Sequence, residues 1–212
     1  MEIEQIDFWV SEFGKEYTSR NTLTPDELDQ YYLDNFGISK LEMNNMFLGG
    51  LPVRKILEVG CNSAGQLQLL QQAGFQDLYG LDIQWGALEI ARQETRQIQL
   101  VQGSAFDIPF KDRYFDLVFT SGVLIHIAPE QLEMAMREIY RCSSEYIWGF
   151  EYFSESMEEI PYRGNQNKMW KANYMEMYLD LFPDLTVVKE EKFQYLHNTN
   201  KDSMFLLKKE NL

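Results

Sequence analysis

Cysteine is nearly absent: Cys61 and Cys142 are the only two in 212 residues. Two thiols make no disulfide framework, and a reducing, cytoplasmic setting is the simplest reading. Histidine is equally scarce. His126 and His197 stand far apart and no C-x-x-C pair occurs, so no metal-ligand cluster is expected. No run approaches the ~18 consecutive apolar residues of a membrane-spanning helix. The opening MEIEQIDFWV is acidic and amphipathic, unlike a signal peptide. Basic residues are outnumbered, 19 Lys and Arg against 33 Asp and Glu, for a net charge of −14. Binding through nucleic-acid phosphates calls for a basic patch, and no cluster here exceeds Lys208-Lys209. Neither nucleic acid nor an anionic membrane is an expected partner, although a local basic pocket stays open. The remainder, 45% hydrophobic and 25% charged, is the composition of an ordinary globular chain of one sizeable domain.

What is present is organised around Lys55–Leu70, KILEVGCNSAGQLQLL. Ile56, Leu57 and Val59 form a short apolar run carrying one acid, Glu58. A tight polar passage follows from Gly60 through Cys61 and Asn62 to Gly65, and Leu67, Leu69 and Leu70 begin a helical spacing. The pattern predicts a buried strand, a sharp turn and a helix start. Such a turn lets backbone approach a ligand, and a helix N-terminus offers unbonded N–H groups. The next apolar run ends in Asp82, about 24 positions after Glu58 and near the ~20-residue separation of nucleotide-binding βαβ units. An acid there suits two ribose hydroxyls. A third run is followed by GSAFDIPF, Gly103 to Phe110.

This ordered series, EVGCNSA, GLDI and GSAFDIPF, resembles the class I S-adenosylmethionine (SAM)-dependent methyltransferases over about Ile56 to Trp148. Asn62 and Ala64 replace two family glycines, and Ser104 replaces the usual Asp near the adenine. Asn62 tolerates a positive φ. The resemblance implies SAM as cofactor and an α/β, Rossmann-like, seven-stranded, mostly parallel sheet with helices on both faces. A narrower resemblance, carried by Trp9, FGKEYTSRN and the distal PYRG (Pro161–Gly164), is to the methylases associated with pseudaminic acid biosynthesis. It implies a small acceptor, a nonulosonic acid or nucleotide-sugar. Two other classes stand beside this reading. An NAD-dependent oxidoreductase shares the βαβ physics but leaves GSAFDIPF unexplained and lacks the G-x-G-x-x-G spacing. A noncatalytic SAM-binding module fits the altered glycines.

The elements read in order as an N-terminal helical extension (1–50), a core (51–150) and an acceptor-side segment with the final strands (151–212), all in one domain. Ile3, Ile6, Phe8, Trp9 and Phe13 make an amphipathic opening, and Phe13–Asn21 reads as a polar loop. Thr24-Pro25-Asp26-Glu27 is a strong helix start, with the helix stopping at Gly37; another spans Lys40–Phe47. Strands are predicted at 55–59, 78–82, 97–101, 115–120 and 146–150, with helices at 66–73, 84–95 and 130–141. Two late runs, 185–192 and 203–208, have strand character and read as a hairpin.

Candidate site residues follow. A cation for the SAM carboxylate falls to Arg20, with Tyr17 beside it. The resemblance assigns Glu58, Gly60, Cys61 and Asn62 to the methionine end and Asp82 to the ribose, with Ile83 and Gln84 beside the adenosine. Ser104, Ala105 and Phe106 fall at the adenine, and Thr120, Ser121 and Gly122 at the methyl, where ligands sit beyond strand ends. His126 is a candidate general base because its ordinary pKa lies near neutrality. Glu151 and Tyr152 are the other candidates for proton removal. Tyr162, Arg163, Lys168 and Lys171 would bind the acceptor, the cations suiting a carboxylate or phosphate. Asp116 reads as structural and His197 as exposed.

Overall fold

The computed structural model describes residues 4–210, which leaves Ile3 of the amphipathic opening outside the described residues. Seven strands form one sheet in the order β3-β2-β1-β4-β5-β9-β8. These are β1 (Lys55–Val59), β2 (Asp77–Asp82), β3 (Ile98–Gln102), β4 (Phe115–Ser121), β5 (Ser143–Tyr152), β8 (Leu185–Gln194) and β9 (Lys201–Lys209). The first five are parallel, and β9 and β8 close the edge antiparallel. A two-residue pair, β6 (Glu158–Glu159) with β7 (Trp170–Lys171), stands apart.

Parallel strands need crossovers, and the helices supply them. Helices α5 (Gly65–Gln72), α6 (Trp85–Glu94) and α7 (Pro129–Cys142) connect the strands, and α8 (Tyr174–Leu181) follows β7. The sheet separates two cores. On one face Leu132, Met136 and Ile139 of α7 and Tyr174 and Tyr178 of α8 pack against Leu57, Val59, Val118 and Ile147. On the other, Leu67 and Leu88 join Tyr32, Met43 and Phe47 over Ile56, Leu117 and Trp148. The fold anticipated from sequence is the fold observed.

Upstream lie α1 (Glu4–Val10), α2 (Glu12–Asn21), α3 (Pro25–Phe36) and α4 (Lys40–Leu48). Helix α3 carries the full capping box at Thr24 and Glu27, and Gly37 ends it at φ 74°. Helix α2 corrects the loop predicted at Phe13–Asn21. Ser11 caps it by accepting from Phe13 N, and the Trp9, Phe13 and Tyr17 rings recur at helical spacing on one face. The Trp9 ring meets Phe13 at 5.8 Å and Tyr17 at 5.2 Å. Gly14 sits inside this helix because an added Cβ would collide with the Trp9 carbonyl and Gln84 Nε2. That close approach seats α2 against the start of α6.

Candidate active site

The ends of β1, β2 and β4 converge on one cavity, where an open parallel sheet presents its ligand crevice. The chain leaves β1 through Gly60, at φ 77°, whose missing side chain makes room for Val123 Cγ2. Asn62 and Ala64 also take left-handed backbone, at φ 46° and 64°, so the turn keeps the shape of its absent glycines. Gly60 and Cys61 both donate to the Leu81 carbonyl, which binds the turn to the end of β2.

Asp82 closes β2 and is 9% exposed. Its Oδ2 accepts from Asn62 N and its Oδ1 from Gln84 N, each at 2.8 Å. Burial raises its pKa, and those backbone donors oppose the rise. The carboxylate is thus fixed at the cavity with lone pairs still free for two hydroxyls. Asn62 Oδ1 is buried and unpartnered. An acceptor atom orphaned at a cavity wall fits a charged amine, and with Asp82 this arrangement suits SAM. The third wall is Ser104, Ala105 and Phe106, with Ser104 Oγ accepting from Phe106 N at 3.2 Å.

Beyond β4, Ser121, Gly122 and Val123 form the floor, and His126 ends the 3-10 turn Leu124–His126 that follows. His126 is 8% exposed, and its Nδ1 lies 2.8 Å from the Lys168 carbonyl oxygen. A carbonyl oxygen only accepts, so Nδ1 carries the proton and Nε2 presents a lone pair. Burial pushes the imidazole pKa down to about 4 from the near-neutral value that marked it as a base, so Nε2 is unprotonated but a weaker proton acceptor than the sequence suggested. The Trp9, Tyr162 and Tyr17 rings surround it at 4.7, 5.0 and 6.4 Å.

The cavity therefore unites Tyr17, Gly60, Asn62, Asp82, Ile83, Gln84, Ser104, Ala105, Phe106, Gly122 and His126. Several other candidates lie elsewhere. Arg20 is exposed on α2 and pairs with Glu16 at 3.3 Å, the i,i+4 geometry of a helix surface. Glu58 points to the opposite side of the turn, fully buried beside Lys40; desolvation dominates and raises its pKa. The Cys61 thiol packs where a Gly80 side chain would be. Thr120 is buried, its hydroxyl bonded to Glu151. Glu151 is itself 1% exposed and accepts from Val123 N and Ile125 N at 3.2 and 3.4 Å. It braces the turn that carries His126 rather than reaching the cavity.

Tyr152 is also displaced from the cavity, because β5 runs on to it and stacks its ring on Tyr195. Lys171 reaches Asn200 Oδ1 at 2.5 Å and covers the Tyr152 ring. Arg163 is exposed on a turn at φ 48° beside Tyr162. The Lys168 ammonium lies 4.9 Å from the centre of the Phe8 ring. Sequence reasoning missed the cavity-lining Gln5, Ile6, Trp9 and Thr18 of the first two helices. The stripe of Trp9, Phe13 and Tyr17 was the available signal. Asp116 accepts from Arg54 N and Lys55 N at the start of β1, and His197 is exposed with Nε2 at 3.1 Å from Asp34 O.

Residues 57–145 match the family model described as a methyltransferase domain. An uncharacterized methyltransferase of Synechocystis sp. is 30% identical over 63% of this chain and 57% of its own length. The match thus spans little more than half of that relative. Among solved structures, a SAM-dependent methyltransferase from Anabaena variabilis superposes with TM-score 0.70 at 16% identity, over 99% of this chain and 96% of that one. Magnesium protoporphyrin IX methyltransferase from Synechocystis, solved with bound S-adenosylhomocysteine, gives 0.68 at 15% identity, over 96% and 97%. At these identities the likeness is one of fold.

Proposed function

We propose that the chain is a class I SAM-dependent methyltransferase, as its match to a methyltransferase-domain model over residues 57–145 supports, and that it methylates a small molecule presenting an O–H or N–H. The observation that carries the reading is the single cavity in which Asp82, the Gly60–Asn62 turn and the neutral His126 meet. Asp82 holds the ribose hydroxyls, Asn62 Oδ1 accepts from the amino group, and Ser104–Phe106 flank the adenine. Bound SAM supplies a methyl group on a positively charged sulfur. The chain then has to align the acceptor atom at ~3–3.5 Å from that methyl and remove its proton. Nε2 of His126 accepts the proton. Glu151 serves as a positioning residue through the backbone of the 3-10 turn. Two buried free thiols suit a reducing, cytoplasmic setting.

A finer acceptor reading, an acidic nonulosonic acid or nucleotide-sugar, has one observation in its favour. Arg163 stands on the exposed turn beside Tyr162, whose ring faces His126. Calorimetric titration with SAM, S-adenosylhomocysteine and NAD tests the cofactor first. Both adenosyl ligands should bind and NAD should not; NAD binding alone would sink the reading. His126→Gln should retain SAM affinity within threefold and lower turnover by about 10²–10⁴, the usual worth of general-base catalysis. SAM binding without turnover on any acceptor would instead favour a noncatalytic SAM-binding module.

A further inference from the structure

The half of the cavity around His126 is built differently from the half around Asp82. Its walls are Ile6 and Trp9 of α1, Val123 and Ile127 beside the 3-10 turn, and the His126 ring. Among the described residues, no lysine or arginine lines the cavity, and Asp82 is the only charged group that does. Of the cations proposed for the site, three have contacts of their own and Arg163 stands exposed beside Tyr162. Arg20 pairs with Glu16, Lys171 reaches Asn200, and the Lys168 ammonium covers Phe8. A carboxylate or phosphate drawn into this end would be desolvated with no counter-charge from the protein. A polyhydroxylated ring fares little better. Each hydroxyl buried without a partner forfeits its hydrogen bonds to water, and this end supplies few polar side chains beyond His126 Nε2, the Tyr17 hydroxyl and Gln5.

Trp9 is the largest side chain of this wall. Its indole is half-buried and meets the His126 ring edge-on at 4.7 Å and 63°. Tyr162 lies 5.0 Å from His126 without lining the cavity, so Trp9 and His126 are the rings of this wall, with His126 Nε2 as its hydrogen-bond acceptor. Aromatic faces reward a flat ring through stacking beyond the burial itself.

We propose that Trp9 is the specificity-determining residue of the acceptor subsite, and that the subsite takes an uncharged planar aromatic or heteroaromatic ring whose single O–H or N–H donates to His126 Nε2. The ring packs on the indole, the donor edge turns toward His126, and the proton leaving the acceptor atom passes to Nε2 as the methyl bond forms. This rests on the methyl-transfer reading above and narrows its acceptor.

The test uses the full chain saturated with S-adenosylhomocysteine and four probes: phenol, indole, methyl glucoside and N-acetylneuraminic acid. Saturation itself reports on the cofactor reading, so failure to bind S-adenosylhomocysteine is distinguishable from failure of the acceptor class. Calorimetry should detect phenol or indole and neither sugar. Trp9→Ala should weaken the aromatic probe at least tenfold with S-adenosylhomocysteine affinity unchanged within twofold, while Trp9→Phe should recover most of the loss. Three outcomes would overturn the proposal. One is binding of N-acetylneuraminic acid that is lost in Arg163→Ala. The others are aromatic binding indifferent to Trp9→Ala, and no binding by either aromatic probe.

Discussion

Asp82 carries its burden because the backbone has already positioned it. Two N–H groups at 2.8 Å hold the carboxylate, so ligand hydroxyls meet an acceptor that gives up no further side-chain entropy. Asp82→Ala removes those acceptors and leaves the N–H groups of Asn62 and Gln84 unpaired. SAM affinity should fall by more than tenfold in calorimetry; wild-type affinity in the variant would remove the ribose assignment. Residue type was legible in the sequence at Asp82, where an acid ends an apolar run. It was not legible at Arg20 or Lys171, because charge says nothing about direction. Their guanidinium and ammonium groups are long, flexible and satisfied by Glu16 and Asn200 on the outside.

Among the elements, strands β1, β2, β4 and β5 announced themselves through local signals, since buried parallel strands must be apolar along their length. Helix α2 did not. Its sequence EFGKEYTSRN is polar with a central glycine, and only the ring spacing back to Trp9 betrays its buried face. Helix α8 was not among the predicted helices either. By contrast, α3 was written plainly in its cap. Thr24 Oγ1 accepts from Glu27 N at 3.3 Å and Glu27 Oε2 from Thr24 N at 2.9 Å. Thr24→Ala should cost about 1 kcal/mol, read as a lower urea midpoint at unchanged slope. No change in midpoint would mean that the cap is redundant with the packing of Tyr32.

At the scale of the whole molecule, a buried ionisable cluster ties the helical extension to the sheet. Lys40, at the start of α4, is fully buried with its ammonium 3.7 Å from the Phe150 ring centre. It interacts electrostatically with Asp202 of β9, Glu58 of β1 and Glu151 of β5. Burial pushes Asp202 up to about 7 from its ordinary 3.8. An acid whose folded pKa is raised holds its proton in the native state after the unfolded chain has released it. Its contribution to stability is therefore fullest below the unfolded pKa and declines as pH rises toward 7. Asp202→Asn, which has no proton to lose, should gain thermal stability relative to wild type between pH 4 and 7, with a constant difference above. A difference that stays flat across the whole range would show that Asp202 titrates alike in both states. Of this cluster the sequence singled out Glu58 and Glu151 but not their association with Lys40 and Asp202, since the members are dispersed along the chain and only the fold assembles them.

The placement of Trp9 has a last consequence, for the order in which the protein is made. The first two helices leave the ribosome before any strand exists, yet His126, the ring they cover, comes from the far half of the chain. Contacts so distant in sequence form late. Until β4 and its turn are in place, Trp9, Phe13 and Tyr17 have no wall to close against. The pocket's roof is synthesised before the wall it closes against and is among the last segments to find its seat.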